Sequence, residues 1–252
     1  MSCVIIVQAR MTSTRLPGKV LMPVLGKPLL AYELERLQRC EQTDALMVAT
    51  TTNASDDPVV ALCEGLNVPV FRGSEHDVLS RYHGAAQQAQ AETVVRVTAD
   101  CPLIDPAVVD GVIAHFKAAQ QGAPPTETQS ALDYVSNTLV RSYPRGLDVE
   151  VFSRSALEIA QQEAIEPAHR EHVTPFFYKN PQRFRLAALE APQNWSHHRW
   201  TVDTPEDFEL AKRILETLYP VKPDFNCQDV LALLEQHPDW VALNAHIEQI
   251  KV

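Results

Sequence analysis

No apolar run in this chain approaches the ~20 residues that a bilayer-crossing helix needs. Its 252 residues, 45% of them hydrophobic, are therefore expected to bury a packed core rather than span a membrane. The opening residues lack the charged, apolar and small-residue regions of a secretory leader, and the expected compartment is the cytoplasm. Cysteine is sparse: Cys3, Cys40, Cys63, Cys101 and Cys227 are scattered, odd in number and never spaced C-x-x-C. A disulfide framework and a structural zinc site are both disfavoured on that pattern. Positive charge is short as well, with 22 Lys and Arg against 32 Asp and Glu and a formal net charge of -10. Duplex binding relies on a face of phosphate-neutralising cations, so nucleic acid is not an expected partner.

The acidic balance inverts at one place. Residues 1 to 32 contain Arg10, Arg15, Lys19 and Lys27 and no Asp or Glu. The same stretch opens with Val4-Ile5-Ile6-Val7, a β-branched run that reads as a buried parallel strand. The loop that follows, Gln8 to Lys19, would then sit at the carboxyl end of a sheet, where open α/β folds bind ligands. A carboxylate-free loop with several cations suits a multiply charged anion, polyphosphate above all. It is not a Walker A loop, because Ser13 stands where the first Gly belongs and Val20 replaces the magnesium-binding hydroxyl.

Further along, helix and strand signals alternate. Helices are predicted over about 28–39, 56–64, 77–89 and 106–120, and strands over 45–50, 68–71 and 93–98. Arg36, on the first of these helices, is expected to face solvent. This rhythm predicts an α/β fold with a mainly parallel, twisted sheet flanked by helices. The polar stretch 122–130, with Pro124-Pro125, reads as a linker. Beyond it come predicted strands near 132–136, 147–152 and 184–190 and helices over 154–165 and 168–178. We read residues 126–194 as an α+β insertion lobe in a single domain, 1–252, whose core is 1–125 and 195–252. The core resumes with a predicted strand at Arg199-Trp200-Thr201-Val202. Thr204-Pro205-Glu206-Asp207 then starts a helix, with an N-cap, Pro at N1 and acids in the first turn. Helices over 226–236 and 238–249 end the chain.

The loop Ala9-Arg10-Met11-Thr12-Ser13-Thr14-Arg15-Leu16-Pro17-Gly18-Lys19 resembles the A-R-x-x-S-T-R-L-P-G-K signature of the CMP-sugar synthetases. Those are the cytidylyltransferases that activate 3-deoxy-manno-octulosonate and acylneuraminates. With Gln8 included, it is closer still to the spore-coat polysaccharide biosynthesis protein F subfamily. The resemblance implies a nucleotide-diphospho-sugar transferase-like, Rossmann-like fold and a magnesium-dependent transfer of CMP from CTP to a sugar, with release of pyrophosphate. It implies nucleotide contacts from Gln8, Ala9, Arg10, Ser13, Arg15, Gly18, Lys19 and Arg81, with Arg10 and Lys19 acting on the transferring phosphates. It also implies a homodimer joined through the insertion lobe.

Two carboxylates follow predicted strands. Asp100, in Thr98-Ala99-Asp100-Cys101-Pro102, matches the metal-binding Asp of the family's G-D-x-P segment, with Ala99 in place of Gly. Asp203 matches the first Asp of its V-D-T-P-E-D segment, so the resemblance implies that the pair holds magnesium. Turn or helix capping is the alternative for each. For the sugar, Arg145, Asp148, Glu150 and His172 are candidates, Arg145 as a grip on a carboxylate and the two acids as partners for hydroxyls or for a second metal. The His residues show no zinc spacing. Two other functions compete. A nucleotide-sugar glycosyltransferase lacks its usual D-x-D here, since Cys101-Pro102 follows Asp100. A non-catalytic nucleotide-binding regulator would be expected to lose a carboxylate or Lys19, and all three are present.

Overall fold

A computed structural model describes residues 2–121 and 132–249; the predicted linker at 122–130 lies outside the described residues. Strand β1 (Cys3–Gln8) leads through the basic loop and a short hairpin, β2 (Pro23–Val24) and β3 (Lys27–Pro28), into helix α1 (Leu29–Leu37). Then follow β4 (Ala45–Thr51), α2 (Asp57–Gly65), β5 (Val70–Gly73), α3 (Val78–Gln88), β6 (Thr93–Thr98) and α4 (Pro106–Gln121). The second part contributes β7 (Tyr134–Ser136), β8 (Glu150–Ser153), α5 (Arg154–Glu163), α6 (Pro167–His172), α7 (Pro175–Tyr178) and β9 (Leu186–Ala188). Helices α8 (Pro205–Leu218), α9 (Cys227–Gln236) and α10 (Pro238–Val241) complete the order.

Seven strands form one sheet in the order β5-β4-β1-β6-β8-β7-β9. The β1, β4, β5 and β6 strands run parallel, and β8 is antiparallel to both its neighbours. Because β7, β8 and β9 are hydrogen-bonded into this sheet, the stretch expected as an insertion lobe continues the central layer. The chain passes from β1 to β4 and β5 on one side, then crosses to β6 on the other. That reversal opens a crevice at the carboxyl ends of β1 and β6, where open α/β sheets take their ligands.

The alternation of β1 explains why the sheet is covered on both faces. Cys3, Ile5 and Val7 pack in one apolar cluster with Leu34 of α1, Val109 of α4, Ile214 of α8 and Val230 of α9. Val4 and Ile6 pack in the other with Tyr82 of α3, Leu157 of α5 and Phe177 of α7. Successive side chains point to opposite faces, so an uninterrupted apolar strand needs two layers of helices.

Four expectations fail for identifiable reasons. The helix predicted over 168–178 is broken into α6 and α7, with Val173 at φ 68 and Pro175 unable to continue a helical ladder. Residues 199–202 form no strand. They make an extended strap held by single bonds, Trp200 N to Arg145 O (2.7 Å) and Val202 N to Asp100 O (2.8 Å). The helix over 238–249 stops at Val241, and the tail beyond it turns so that buried Asn244 donates to Arg199 O and Asp207 Oδ1. Arg36 is buried rather than solvent-facing: Nε donates to Ile104 O (2.5 Å) and Nη2 to Phe225 O (2.7 Å).

Candidate active site

The basic loop folds back over the sheet end. Met11 N donates to Asp56 Oδ1 (2.8 Å) and Gly18 N to Met11 O (2.9 Å), closing the loop at both ends. Gly18 has φ 72, a left-handed conformation that glycine adopts without Cβ strain. A 3-10 turn, Lys19–Leu21, follows directly and aims the Lys19 side chain inward. Lys19 Nζ lies 3.0 Å from Asp100 Oδ2 and 2.7 Å from Asp203 Oδ1. Arg15 lies 2.9 Å from Asp203 Oδ2.

Asp100 stands just past β6, and its Oδ1 accepts from Thr98 Oγ1 (2.6 Å). Asp203 arrives on the strap, whose approach depends on Gly146. Capping of α8 is done by Thr204 and Asp207, which form a reciprocal capping box. Arg199, bonded to both oxygens of Asp207 and to Asp203 Oδ2 (3.0 Å), ties cap and strap together. The Asp203 carboxylate therefore has no capping duty and points at Lys19.

Burial works against the Lys19 ammonium, but Asp100 and Asp203 outweigh it and its pKa is raised. Burial likewise opposes the Asp100 carboxylate, and Lys19 with the Thr98 hydroxyl brings its pKa down. Both groups are held charged. Behind them, wholly buried Glu33 accepts from Cys101 N (3.1 Å). Burial first, and the Asp100 charge second, push its pKa well above the carboxylate range.

Arg15, Lys19, Asp100 and Asp203 border a cavity of about 470 Å³. Its lining includes one group from the basic loop, Arg10, Ser13, Arg15 and Lys19, and a second group from later in the chain, Arg96, Arg141, Asp148, Glu150, His172 and Tyr178, with Gln8 also present. In the second group the cations are paired. Arg141 grips Asp148 through both guanidinium nitrogens (2.7 and 2.9 Å), and Arg96 pairs with Glu150, which also accepts from Tyr134 Oη (2.6 Å). His172 is drawn toward the neutral form chiefly by burial.

Four of the predicted residues stand outside the lining. Ala9 is buried and spends its amide on Ala49 O (3.2 Å), and Gly18 serves the loop closure. Arg81 is fully buried, with Nη1 donating to Ser74 O (2.7 Å). Arg145 is bridged to Arg199 on the strap. Arg96, Arg141, Tyr178, Arg199 and Glu33 belong to or support the site without being among the candidates read from the sequence. A charge inside the apolar run Val94-Val95-Arg96-Val97 was a usable signal, since a cation on a buried strand needs a partner. Nothing in the sequence separates Arg141 from Arg145 four residues on.

The donor set suits a hard divalent cation. Two carboxylates from different parts of the chain already converge on one cationic nitrogen. Among the described residues no group of three or more His, Cys, Asp and Glu is arranged for a metal. Magnesium is commonly held by one or two carboxylates with substrate phosphates and water, so the pair fits such an ion in company with a phosphate ligand.

Residues 4–237 match the family model described as cytidylyltransferase. The spore coat polysaccharide biosynthesis protein SpsF of Bacillus subtilis is 34% identical over 242 residues, covering 93% of this chain and 94% of its own. A cytidylyltransferase structure from Leptospira borgpetersenii superposes with a TM-score of 0.88 at 30% identity, over 100% of both chains. A CMP:2-keto-3-deoxy-manno-octonic acid synthetase solved with CTP gives a TM-score of 0.63 at 18% identity, over 86% of this chain and 99% of that one. This last likeness speaks to the fold.

Proposed function

Since the chain belongs to the cytidylyltransferase family, we propose that it transfers CMP from CTP to a sugar acid or related sugar, releasing pyrophosphate. The product would be an activated sugar for a cell-surface polysaccharide, made in the cytoplasm by a homodimer. The cytoplasm is proposed from the sequence, and no helix among the described residues is long and apolar enough to cross a membrane. The dimer, joined through residues 126–194, rests on the resemblance alone. The observation that carries the reading is the convergence of Lys19 on Asp100 and Asp203 beneath a cation-rich loop at the sheet crevice.

The chain's own work is positioning and charge neutralisation. Arg10, Arg15 and Lys19 face the triphosphate, and Lys19 and Arg10 offset the charge that grows on leaving pyrophosphate. Ser13 supplies a hydroxyl on the same side. Gln8, on the cavity wall, presents its amide to the cytosine edge, while Ala9, its own amide already engaged, offers its carbonyl. Gly18 acts through the loop's shape, and Arg81 through the Ser74 backbone of the loop before α3. Asp100 and Asp203 would hold the divalent cation, magnesium in this reading. When bound, it polarises the α-phosphate and neutralises developing charge.

In the second group of lining residues, Arg141 is the cation placed to exchange Asp148 for a sugar carboxylate, the role expected of Arg145, which instead supports the strap. Asp148, Glu150 and His172 face the sugar hydroxyls. A sugar hydroxyl oriented there attacks the α-phosphorus in line as pyrophosphate departs.

Nucleotide choice tests the reading. With magnesium present, CTP should protect the protein against heating more than ATP, GTP or UTP, because a ligand that binds only the native state stabilises it by mass action. Greater protection by ATP or GTP would count against a cytidylyltransferase site.

A further inference from the structure

We propose that Lys19 is a tethered counter-ion: its ammonium keeps the Asp100–Asp203 pair closed to divalent cations until a nucleoside triphosphate draws it away. This rests on the nucleotidyltransferase reading above, in which the two carboxylates hold the cation.

Every oxygen of the two carboxylates is engaged. Asp203 Oδ2 is engaged by Arg15 (2.9 Å) and Arg199 (3.0 Å). Asp100 Oδ1 accepts from Thr98 Oγ1 (2.6 Å) and faces Cys101 Sγ (3.5 Å). The remaining oxygens, Asp100 Oδ2 and Asp203 Oδ1, are both taken by Lys19 Nζ, at 3.0 and 2.7 Å. A divalent cation held by the same two carboxylates would have to share that space with the ammonium. Two cations in contact repel strongly away from bulk water, and the Lys19 side chain is only 11% exposed.

Displacement has a built-in route. The Lys19 backbone is fixed in its 3-10 turn, while the ammonium rides on a flexible four-carbon stem with rotatable donors. A triphosphate arriving beside Arg10 and Arg15 offers several anionic oxygens in exchange for two. The cation would then enter with the nucleotide, and the carboxylates would never face each other uncompensated, an arrangement that like charges disfavour. The expected behaviour is weak binding of a divalent cation by the protein alone.

Mn2+ serves as the probe, with the free aqua ion counted by electron paramagnetic resonance in the absence of nucleotide. Lys19→Met keeps most of the stem and removes the charge. It should bind one Mn2+ roughly tenfold or more tighter than the wild type, the scale expected when a unit charge a few ångströms away is removed. The gain should vanish in Lys19→Met/Asp203→Asn, and added Mn2+ should raise the melting temperature of Lys19→Met more than that of the wild type. Equal Mn2+ affinity in the wild type and Lys19→Met overturns the proposal. Should Lys19→Met fail to fold, Lys19→Gln, which also removes the charge, takes its place, and an Mn2+ affinity equal to the wild type's overturns the proposal. Pyrophosphate release by the wild type reads the underlying assignment separately. Release accompanied by no gain in Lys19→Met sinks the counter-ion role and leaves the enzyme assignment standing.

Discussion

Gly146 lies against the backbone of Thr201 so closely that a Cβ at position 146 would meet the Thr201 amide nitrogen at 2.5 Å and the Trp200 carbonyl carbon at 2.7 Å. The residue also has φ 97, outside the range that side-chain-bearing residues adopt readily. Thr201 and Trp200 belong to the strap that delivers Asp203, so one glycine fixes how near the second carboxylate comes to the first. Gly146→Ala should destabilise the fold by about 2 kcal/mol or more through backbone strain. It should also lower turnover beyond what the loss of folded protein explains. Urea unfolding and single-turnover rates check this, and a variant with wild-type stability and rate would show the contact to be slack.

The carboxylates themselves should separate chemistry from capping. Asp100→Asn or Asp203→Asn should each cut turnover by about a thousandfold or more, since each removes charge from a hard-cation site without altering shape. Stability should tell them apart. Asp203 is nearly buried among Lys19, Arg15 and Arg199, and breaking such a cluster costs roughly 3 kcal/mol or more. Asp100 is more exposed and leaves Lys19 one partner, so its loss should lower the melting temperature less. Near-normal turnover in both variants would return the pair to a structural role.

How much of this was readable in advance depends on the range of the interaction. The β1 strand, the closing loop and the alternation through β6 follow from local apolar patterning, and their positions differ from expectation by a few residues at most. The loop carries one contiguous motif, and each of the two aspartates stands in a short motif of its own. What was missed is made by distant partners: Arg141 becomes a site residue by gripping Asp148, and Arg36 is buried because Ile104 and Phe225 supply carbonyls far along the chain. The strap at 199–202 looked like a strand because its composition is that of one. Its hydrogen bonds go to Arg145 and Asp100 rather than to a sheet neighbour.

Acid should expose one of the neutral histidines. His198 stacks on His197 with ring centroids 4.2 Å apart and lies 5.7 Å from the Trp200 ring. Burial chiefly, and the His197 charge second, push its pKa down from 6.5 to about 4. The unfolded chain then binds a proton below pH 6.5 that the folded chain refuses until about pH 4, so stability drains away as pH falls across that window. The lowered Asp100 holds its contribution above its ordinary value of 3.8 and loses it only in stronger acid. In denaturant titrations from pH 7 to 4, the stability advantage of the wild type over His198→Gln should shrink as pH falls. Parallel curves for the two proteins would contradict the assignment.

The central claim is CTP-dependent nucleotidyl transfer, and pyrophosphate release measures it most directly. Purified protein with magnesium is offered each of the four nucleoside triphosphates against 2-keto-3-deoxy sugar acids, nonulosonates and sugar phosphates. The account predicts release from CTP that requires one of these sugars and falls about a thousandfold or more with Asp203→Asn. Release that prefers ATP, GTP or UTP, or that persists undiminished in Asp203→Asn, would contradict it.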